Sequence, residues 1–177
     1  MRLFIGLDLD ASVREVLANF SGSLQTKIPA SYVPSALFHI TLAYLGERDK
    51  DRLALLQELL KKVADDTAVF PLMLSSLGWF GETSNAILYA GLKPSAALVS
   101  LNVALRENLA HTGETFDSKP LVPHITLARK AVLKDEDSTV LLPPVMFHSK
   151  ALSLFHSVHL DGELQYLPIY VAPFSLE

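Results

Sequence analysis

The chain has 177 residues, a hydrophobic content of 50%, a formal net charge of −4 and no cysteine. This composition is that of a globular protein of ordinary domain size, not of a disordered or disulfide-stabilised chain. The lack of cysteine excludes a thiol nucleophile and a cysteine zinc site, and the acidic balance argues against a protein that coats long nucleic acid.

The sequence gives no sign of a membrane or export signal. Residues 1–8 reach an acidic residue too early for a signal peptide, and no apolar run approaches the roughly 20 residues of a membrane span. We therefore expect a cytoplasmic protein that does not associate with membranes. The sequence also indicates no obligate protein partner.

Apolar patterning predicts strands and helices in mixed order. In chain order we predict a strand at 3–9, a helix after it, a strand at 37–45, a helix at 49–63, strands at 70–80 and 86–92, a helix at 95–110, and strands at 122–130, 151–159 and 166–171. Ser12 and Glu15 have the spacing of a capping box for the first helix. Asp161 and Gly162 predict a hairpin between the last two strands. The order lacks strict strand–helix alternation, so we predict an α+β fold with largely antiparallel sheets, in one domain over residues 1–177.

The most informative feature is a repeated five-residue segment. The sequence His-Ile-Thr-Leu-Ala occupies residues 39–43 and again residues 124–128, each time after a proline-containing loop and within a predicted strand. Because side chains alternate between the two faces of a strand, each copy presents its His and Thr on one face and its Ile and Leu on the other. If the two strands are neighbours in related lobes, two histidines and two threonines meet in one cleft.

These four side chains suit acid–base chemistry on a phosphate. One imidazole can accept a proton from a nucleophile while the other donates a proton to a leaving oxygen, since the histidine pKa lies near neutrality. Threonine hydroxyls can donate hydrogen bonds to phosphoryl oxygens. A single His-x-Thr on a strand is more often structural, but its exact duplication favours a functional interpretation. Neither role needs a metal or a cofactor, so we expect none.

The paired motifs resemble those of the 2H phosphoesterases, and more narrowly the LigT-like RNA 2′,3′-cyclic phosphodiesterases, once described as 2′-5′ RNA ligases. The resemblance covers nearly the whole chain, including the first strand at residues 2–8 and the Leu-Gly-Glu that follows the first motif at residues 45–47. It implies an α+β fold of two pseudo-symmetric lobes, each a mainly antiparallel sheet flanked by helices, with the active cleft between them.

The resemblance also implies an activity and its residues. The implied reaction is hydrolysis of 2′,3′-cyclic phosphates to 2′-phosphates, on RNA 3′ ends or small cyclic nucleotides. His39 would protonate the leaving ribose oxygen and His124 would activate water. Thr41 and Thr126 would bind the phosphate. Arg129 would add positive charge by the family pattern, although simple strand alternation would place Lys130 on that face unless a bulge intervenes.

Other interpretations stay open at this point. The same residues can catalyse the reverse reaction, which joins a cyclic-phosphate end to a 5′-hydroxyl as a 2′-5′ linkage, and a non-catalytic binder of RNA ends is a third possibility. His148, His156 and His159 suggest a metal site only weakly, because no carboxylate lies at zinc-site spacing within their strands. Family members often carry a basic residue just before the tyrosine of the last strand. In this chain the corresponding residue, Gln165, is neutral.

Overall fold

The computed structural model describes residues 1–176 and contains two sheets whose neighbouring strands are all antiparallel. Its strands are β1 (Arg2–Leu7), β2 (Ser31–Tyr32), β3 (Ile40–Glu47), β4 (Phe70–Phe80), β5 (Ala86–Leu92), β6 (His124–Ala131), β7 (Met146–Ser149), β8 (Ala151–Leu160) and β9 (Glu163–Pro173). Its α-helices are α1 (Ala11–Gln25), α2 (Leu53–Asp65) and α3 (Ala96–His111), and short 3₁₀ helices lie at Ser35–Leu37, Lys50–Arg52 and Asp135–Thr139.

The two sheets are built on one plan, which creates the lobes. The first sheet has the order β3-β1-β8-β9, and the second has the order β2-β6-β5-β4-β7. In each lobe a helix connects two strands that pair with each other: α1 lies between β1 and β3 in the chain, and α3 lies between β5 and β6. The predicted α+β fold of two pseudo-symmetric antiparallel lobes is confirmed. Because β8 and β9 return to the first sheet, the lobes are intertwined along the chain.

Each helix buries one apolar face, as its sequence spacing predicts. The buried helix residues include Val13, Leu17 and Leu24 of α1, Leu56, Leu60 and Val63 of α2, and Leu98, Leu101, Leu105 and Leu109 of α3. These side chains belong to one apolar cluster that also contains the inward residues of both sheets. Burying each leucine contributes about 1.5–3 kcal/mol, so the helices are held firmly against their sheets.

Several predicted starts of helices and strands differ from those in the structure, and two short strands were not predicted. The first helix begins at Ala11, with the Arg14 amide donating to the Asp10 carbonyl at 3.0 Å, so Ser12 lies inside the helix and forms no capping box. The predicted strand at 37–45 begins only at Ile40, because a 3₁₀ turn precedes it. The short strands β2 and β7 were not predicted, since two to four residues carry too little periodicity.

The predicted hairpin between β8 and β9 is confirmed. Asp161 and Gly162 have φ values of 51° and 83°. Positive φ at both central residues is what a two-residue hairpin turn needs to match the twist of its strands. In the described part of the chain, no helix is long and apolar enough to cross a membrane.

Candidate active site

The two repeat segments meet where the lobes join. β3 and β6 lie in different sheets yet contact each other. Beside them is a cleft of about 490 Å³, whose lining includes Thr41, His124, Thr126 and Arg129. His39 lies next to this lining, because its Nε2 atom is 2.8 Å from the Thr41 hydroxyl. The structure therefore brings together all five residues singled out in the sequence.

His39 is held in one tautomer by the backbone that precedes it. Its Nδ1 atom lies 2.7 Å from the Leu37 carbonyl oxygen. A carbonyl can only accept, so Nδ1 carries the hydrogen, and Nε2 of the neutral ring accepts from the Thr41 hydroxyl. His39 is the residue just before β3. The preceding 3₁₀ turn positions its ring, and the first residues of the strand position its threonine partner.

His124 repeats this arrangement in the second lobe. Its Nδ1 donates to the Val122 carbonyl oxygen at 2.6 Å, which again directs a neutral Nε2 away from the backbone. The carbonyl acceptor lies two residues before the histidine in both copies, so the Nδ1 contact is part of the repeat. Within residues 1–176, Nε2 of His124 has no hydrogen-bond partner and is available to a ligand in the cleft.

Burial lowers the pKa of both histidines below the ordinary 6.5. For His39 burial is the main cause; the hydrogen bond to Leu37 opposes it, and the neighbouring charge of His124 lowers the pKa further. For His124 burial is again the main cause, opposed by the hydrogen bond to Val122, and the positive charge of Arg129 adds to the lowering. The charge effect between the histidines means that their protonation is linked.

Two β-bulges decide which side chains follow the motifs into the cleft. Opposite β1 the first extra residue of β3 is Leu42, and opposite β5 the first extra residue of β6 is Leu127; a second register shift follows further along each pair. A bulge shifts the alternation of side chains by one residue. Tyr44 and Arg129, which occupy equivalent positions of the repeat, consequently line the cleft, whereas Lys130 does not. The structure thus places Arg129 where the family pattern implied it.

Aromatic rings that the sequence did not single out surround both imidazoles. The rings of Phe4 and Tyr166 lie 4.8 and 5.0 Å from that of His39, between centroids. The rings of Phe80 and Tyr89 lie 5.0 and 5.4 Å from that of His124. These rings cover part of each imidazole and contribute to the burial that lowers its pKa. They come from strands distant in sequence, so no local signal identifies them.

Gly78 allows one of these aromatic contacts. A Cβ atom at Gly78 would lie 2.6 Å from the Tyr89 ring, so only glycine leaves room for Tyr89 to lie across β4. Phe80 packs against Tyr89 and His124 and lines the cleft. Trp79 packs against the apolar cluster.

A larger cavity of about 600 Å³ lies elsewhere, beside Arg48, Arg52 and Glu114. Its cations are already engaged, since the Glu114 carboxylate accepts hydrogen bonds from both arginines at 2.5–2.8 Å. We therefore assign it a structural role. In residues 1–176, no group of three or more His, Asp or Glu side chains is arranged to hold a metal ion.

Comparison with known proteins agrees with the fold and shows the family. Residues 13–157 match the 2′-5′ RNA ligase superfamily, and the chain belongs to this family. An RNA 2′,3′-cyclic phosphodiesterase of Geobacillus stearothermophilus is 37% identical over 129 residues, which make up 72% of this chain and 41% of that protein. The match thus spans about two fifths of the relative's length.

Two comparisons with Escherichia coli proteins cover almost the full chain. An RNA 2′,3′-cyclic phosphodiesterase is 29% identical over 174 residues, 95% of this chain and 93% of that protein. The crystal structure of LigT complexed with 3′-AMP has a TM-score of 0.79 at 26% identity, with 98% of each chain covered. The predicted resemblance to LigT-like proteins is confirmed.

Proposed function

We propose that this protein is an RNA 2′,3′-cyclic phosphodiesterase that opens the cyclic ester by metal-independent acid–base catalysis with His39 and His124. The observation that carries the proposal is the duplicated geometry: each histidine donates through Nδ1 to the carbonyl two residues earlier, and each belongs to a motif whose threonine faces the same cleft. The names of the relatives support cyclic phosphate ends as the substrate.

The proposed reaction breaks the bond between phosphorus and the ribose 3′-oxygen. His124 accepts a proton from water as the water oxygen bonds to phosphorus, and His39 donates a proton to the departing 3′-oxygen. The product has a 2′-phosphate and a 3′-hydroxyl. Thr41, Thr126 and Arg129 stabilise the negative charge on the phosphoryl oxygens during the displacement. Proton exchange with solvent then restores both histidines.

One local charge, that of Arg129, supports this division of roles between the histidines. Burial is the main cause of the lowered His39 pKa, and the charges of Asp8 and of its ion-pair partner Arg14 act on that pKa in opposite directions. Arg129 lowers the pKa of His124 in addition to burial and favours a neutral acceptor. The motif repeat is symmetric, so the proposed assignment of acid and base follows the family resemblance, and the Arg129 charge beside His124 supports it.

The reverse reaction uses the same groups. A 5′-hydroxyl in place of water would give a 2′-5′ linkage, but water is in large excess, so hydrolysis is the proposed direction. A non-catalytic binder of RNA ends would not need two histidines with directed Nε2 atoms and a threonine in each motif. Measured turnover of a cyclic phosphate substrate distinguishes the enzyme from a non-catalytic binding protein.

The test is incubation of the protein with a 2′,3′-cyclic mononucleotide and with a cyclic-ended RNA, in the presence of EDTA. We expect turnover of at least one substrate, and chromatography should identify the product as the 2′-phosphate. Activity that is lost in EDTA and restored by a divalent cation would contradict the metal-independent mechanism. A 3′-phosphate product would contradict the proposed bond cleavage.

Substitution of the histidines tests the residues themselves. His39→Ala and His124→Ala should each lower the rate roughly 10²–10⁴-fold, the usual range for a lost general acid or base. The double variant should lose much less than the product of the two effects, because the pair works as a unit. His148→Ala, on the distant strand β7, is the matched control and should keep wild-type activity. Near wild-type turnover by either single cleft variant would refute its assignment.

A further inference from the structure

The arginines of this protein fall into two groups. Arg14 is paired with Asp8, both Arg48 and Arg52 are paired with Glu114, and Arg2 donates to the Tyr44 hydroxyl. Arg106 and Arg129 have no carboxylate within ion-pair distance among residues 1–176, and both line the cleft. Arg129 already has a place in the proposed reaction, whereas Arg106 has none.

Arg106 is fixed in position and has no counter-charge. It projects from α3, with its guanidinium carbon 5.3 Å from the centroid of the Phe116 ring, and Nη2 donates to the Lys119 carbonyl at 2.8 Å. Its Nε atom is buried and has no hydrogen-bond partner in the described part of the chain. A guanidinium held rigidly without a counter-charge is well suited to bind a phosphate supplied by a ligand.

The charges around Arg106 favour an anion although the whole protein is acidic. The charged side chains that line the cleft are Arg106, Lys119, Arg129 and Asp117. Asp117 uses one carboxylate oxygen to accept from the Lys119 backbone amide at 3.0 Å. Three cations against one carboxylate make the cleft positive within a chain of net charge −4, which concentrates and orients anionic ligands there.

Arg106 and Lys119 lie in the same cleft as the motif residues but on other elements. The proposed catalytic groups belong to the β3 and β6 motifs, whereas Arg106 and Lys119 belong to α3 and to the segment 112–123 that follows it. The cleft therefore has cationic side chains in addition to the groups supplied by the two motifs. In an RNA chain that ends in a cyclic phosphate, the next phosphate is attached to the 5′-oxygen of the terminal nucleoside.

We infer that Arg106, assisted by Lys119, binds the phosphodiester immediately upstream of the cyclic phosphate. Arg106 then makes the protein prefer the end of an RNA strand over a free cyclic mononucleotide. This inference rests on the proposed cyclic phosphodiesterase activity and assigns a specificity residue outside the two motifs.

The experiment compares kcat/KM for two cyclic-ended dinucleotides of the same base sequence. One has a normal phosphodiester linkage, and the other has an uncharged methylphosphonate linkage. We expect the wild-type protein to prefer the charged dinucleotide about tenfold, as for a charge-assisted hydrogen bond in a partly exposed cleft. Arg106→Gln should remove most of this preference, and Arg106→Lys should retain part of it. Lys62→Gln, an equal charge change on the exposed face of α2, should retain all of it.

The ratio of kcat/KM for the charged and the uncharged dinucleotide distinguishes loss of binding to the upstream charge from a general disturbance of the cleft. A wild-type protein that hydrolyses both dinucleotides equally well would overturn the inference. So would an Arg106→Gln variant that loses activity on both substrates to the same extent. A cyclic mononucleotide, assayed in parallel, reports on the proposed function alone: no turnover of any of the three substrates would refute that function, not the subsite specifically.

Discussion

At the scale of single residues, the threonine hydroxyls have different surroundings in the free protein. The Thr41 hydroxyl donates to Nε2 of His39 at 2.8 Å, whereas the Thr126 hydroxyl has no hydrogen-bond partner within residues 1–176 and faces the cleft. A phosphate that enters the cleft would take the Thr41 hydroxyl from its histidine, while Thr126 is already available. Both threonines are thus suited to bind phosphate, but only Thr41 must give up a hydrogen bond of the free protein to do so.

We predict that Thr41→Val and Thr126→Val each lower kcat/KM by roughly 10–150-fold. Valine keeps the β-branched shape and removes only a hydroxyl, whose hydrogen bond to a charged phosphate is worth about 1.5–3 kcal/mol. The melting temperature should stay nearly constant for Thr126→Val and fall slightly for Thr41→Val, which loses the bond to His39. Thr139→Val, at an exposed position away from the cleft, is the matched control. Early melting with normal turnover would show that the threonines serve the fold.

The histidine pKa shifts predict where activity is highest. Catalysis needs one protonated and one neutral imidazole, so kcat/KM should be bell-shaped against pH, with its maximum between the two linked pKa values. Burial lowers both of these below 6.5, so we expect the maximum below pH 6.5 and a falling rate above it. A rate that rises steadily to high pH would contradict the two-histidine mechanism.

Replacement of Arg129 should shift that profile. Burial is the main cause of the lowered His124 pKa, and the Arg129 charge adds to it. Arg129→Gln removes the added effect, raises the His124 pKa and should move the maximum to higher pH while lowering kcat/KM. Lys130→Gln changes the same charge one residue along and outside the cleft, so the pH of maximum activity should not move. Equal shifts for both variants would mean that only the overall charge matters.

At the scale of elements, the close approach of β1 and β3 shapes the first half of the site. Gly6 pairs with Thr41 beside the bulge at Leu42, and a Cβ atom at Gly6 would lie 2.5 Å from the Ile40 carbonyl oxygen. Since the obstructing atom belongs to the backbone, no side-chain movement can relieve the clash. The absence of a side chain at Gly6 thus sets the position of the first motif.

We predict that Gly6→Ala destabilises the protein by about 1–3 kcal/mol, the usual range for an overpacked interior. It should also lower the activity of the protein that remains folded, because β3 must move away from β1. Gly22→Ala is the matched control: it lies in α1 with no atom within 4 Å of the added carbon, and it should stabilise by about 0.5–1 kcal/mol. Denaturant unfolding and kcat/KM of the same samples test both expectations, and an unaffected Gly6→Ala would refute this account.

At the scale of the whole molecule, a buried carboxylate ties the lobes together. Glu114 follows α3 of the second lobe and has a side chain only 3% exposed, whereas Arg48 and Arg52 follow β3 of the first lobe. Burial opposes the charge of Glu114, but the hydrogen bonds and charges of the two arginines outweigh it and lower its pKa. The segment 112–123 that begins at this contact also supplies a wall of the cleft and the Val122 carbonyl that orients His124.

We predict that Glu114→Gln destabilises the protein by about 2–3 kcal/mol at neutral pH, somewhat less than for a fully buried pair because Arg52 is partly exposed. The folded state holds the Glu114 pKa below the ordinary value of 4.5. The contribution of ionised Glu114 to the free energy of unfolding is therefore present above pH 4.5 and is lost as the pH falls through the lowered pKa. The variant should lose less stability than the wild type across that acidic range. Denaturant unfolding at pH 7 and at pH 3–4 measures both effects, and parallel curves for the two proteins would contradict the assignment.

The sequence by itself determined much of this protein. Apolar periodicity located β4 and β5 without error and the faces of all three helices, and the repeated His-Ile-Thr-Leu-Ala segment identified the paired histidines and threonines. Both kinds of signal are local, because the period of a strand or a helix fixes which side chains share a face. The single-domain organisation, the cytoplasmic location and the independence from a protein partner stay predictions.

Only the tertiary structure decided how the two motifs work together. The bulges at Leu42 and Leu127 select Tyr44 and Arg129 for the cleft, but a bulge depends on the partner strand and leaves no mark in the bulged segment. The aromatic rings around the histidines, the unpaired Arg106 and the contact of Glu114 with both arginines likewise join residues far apart in the chain. Such contacts arise when separate elements pack against one another, so no pattern within a single element could have revealed them.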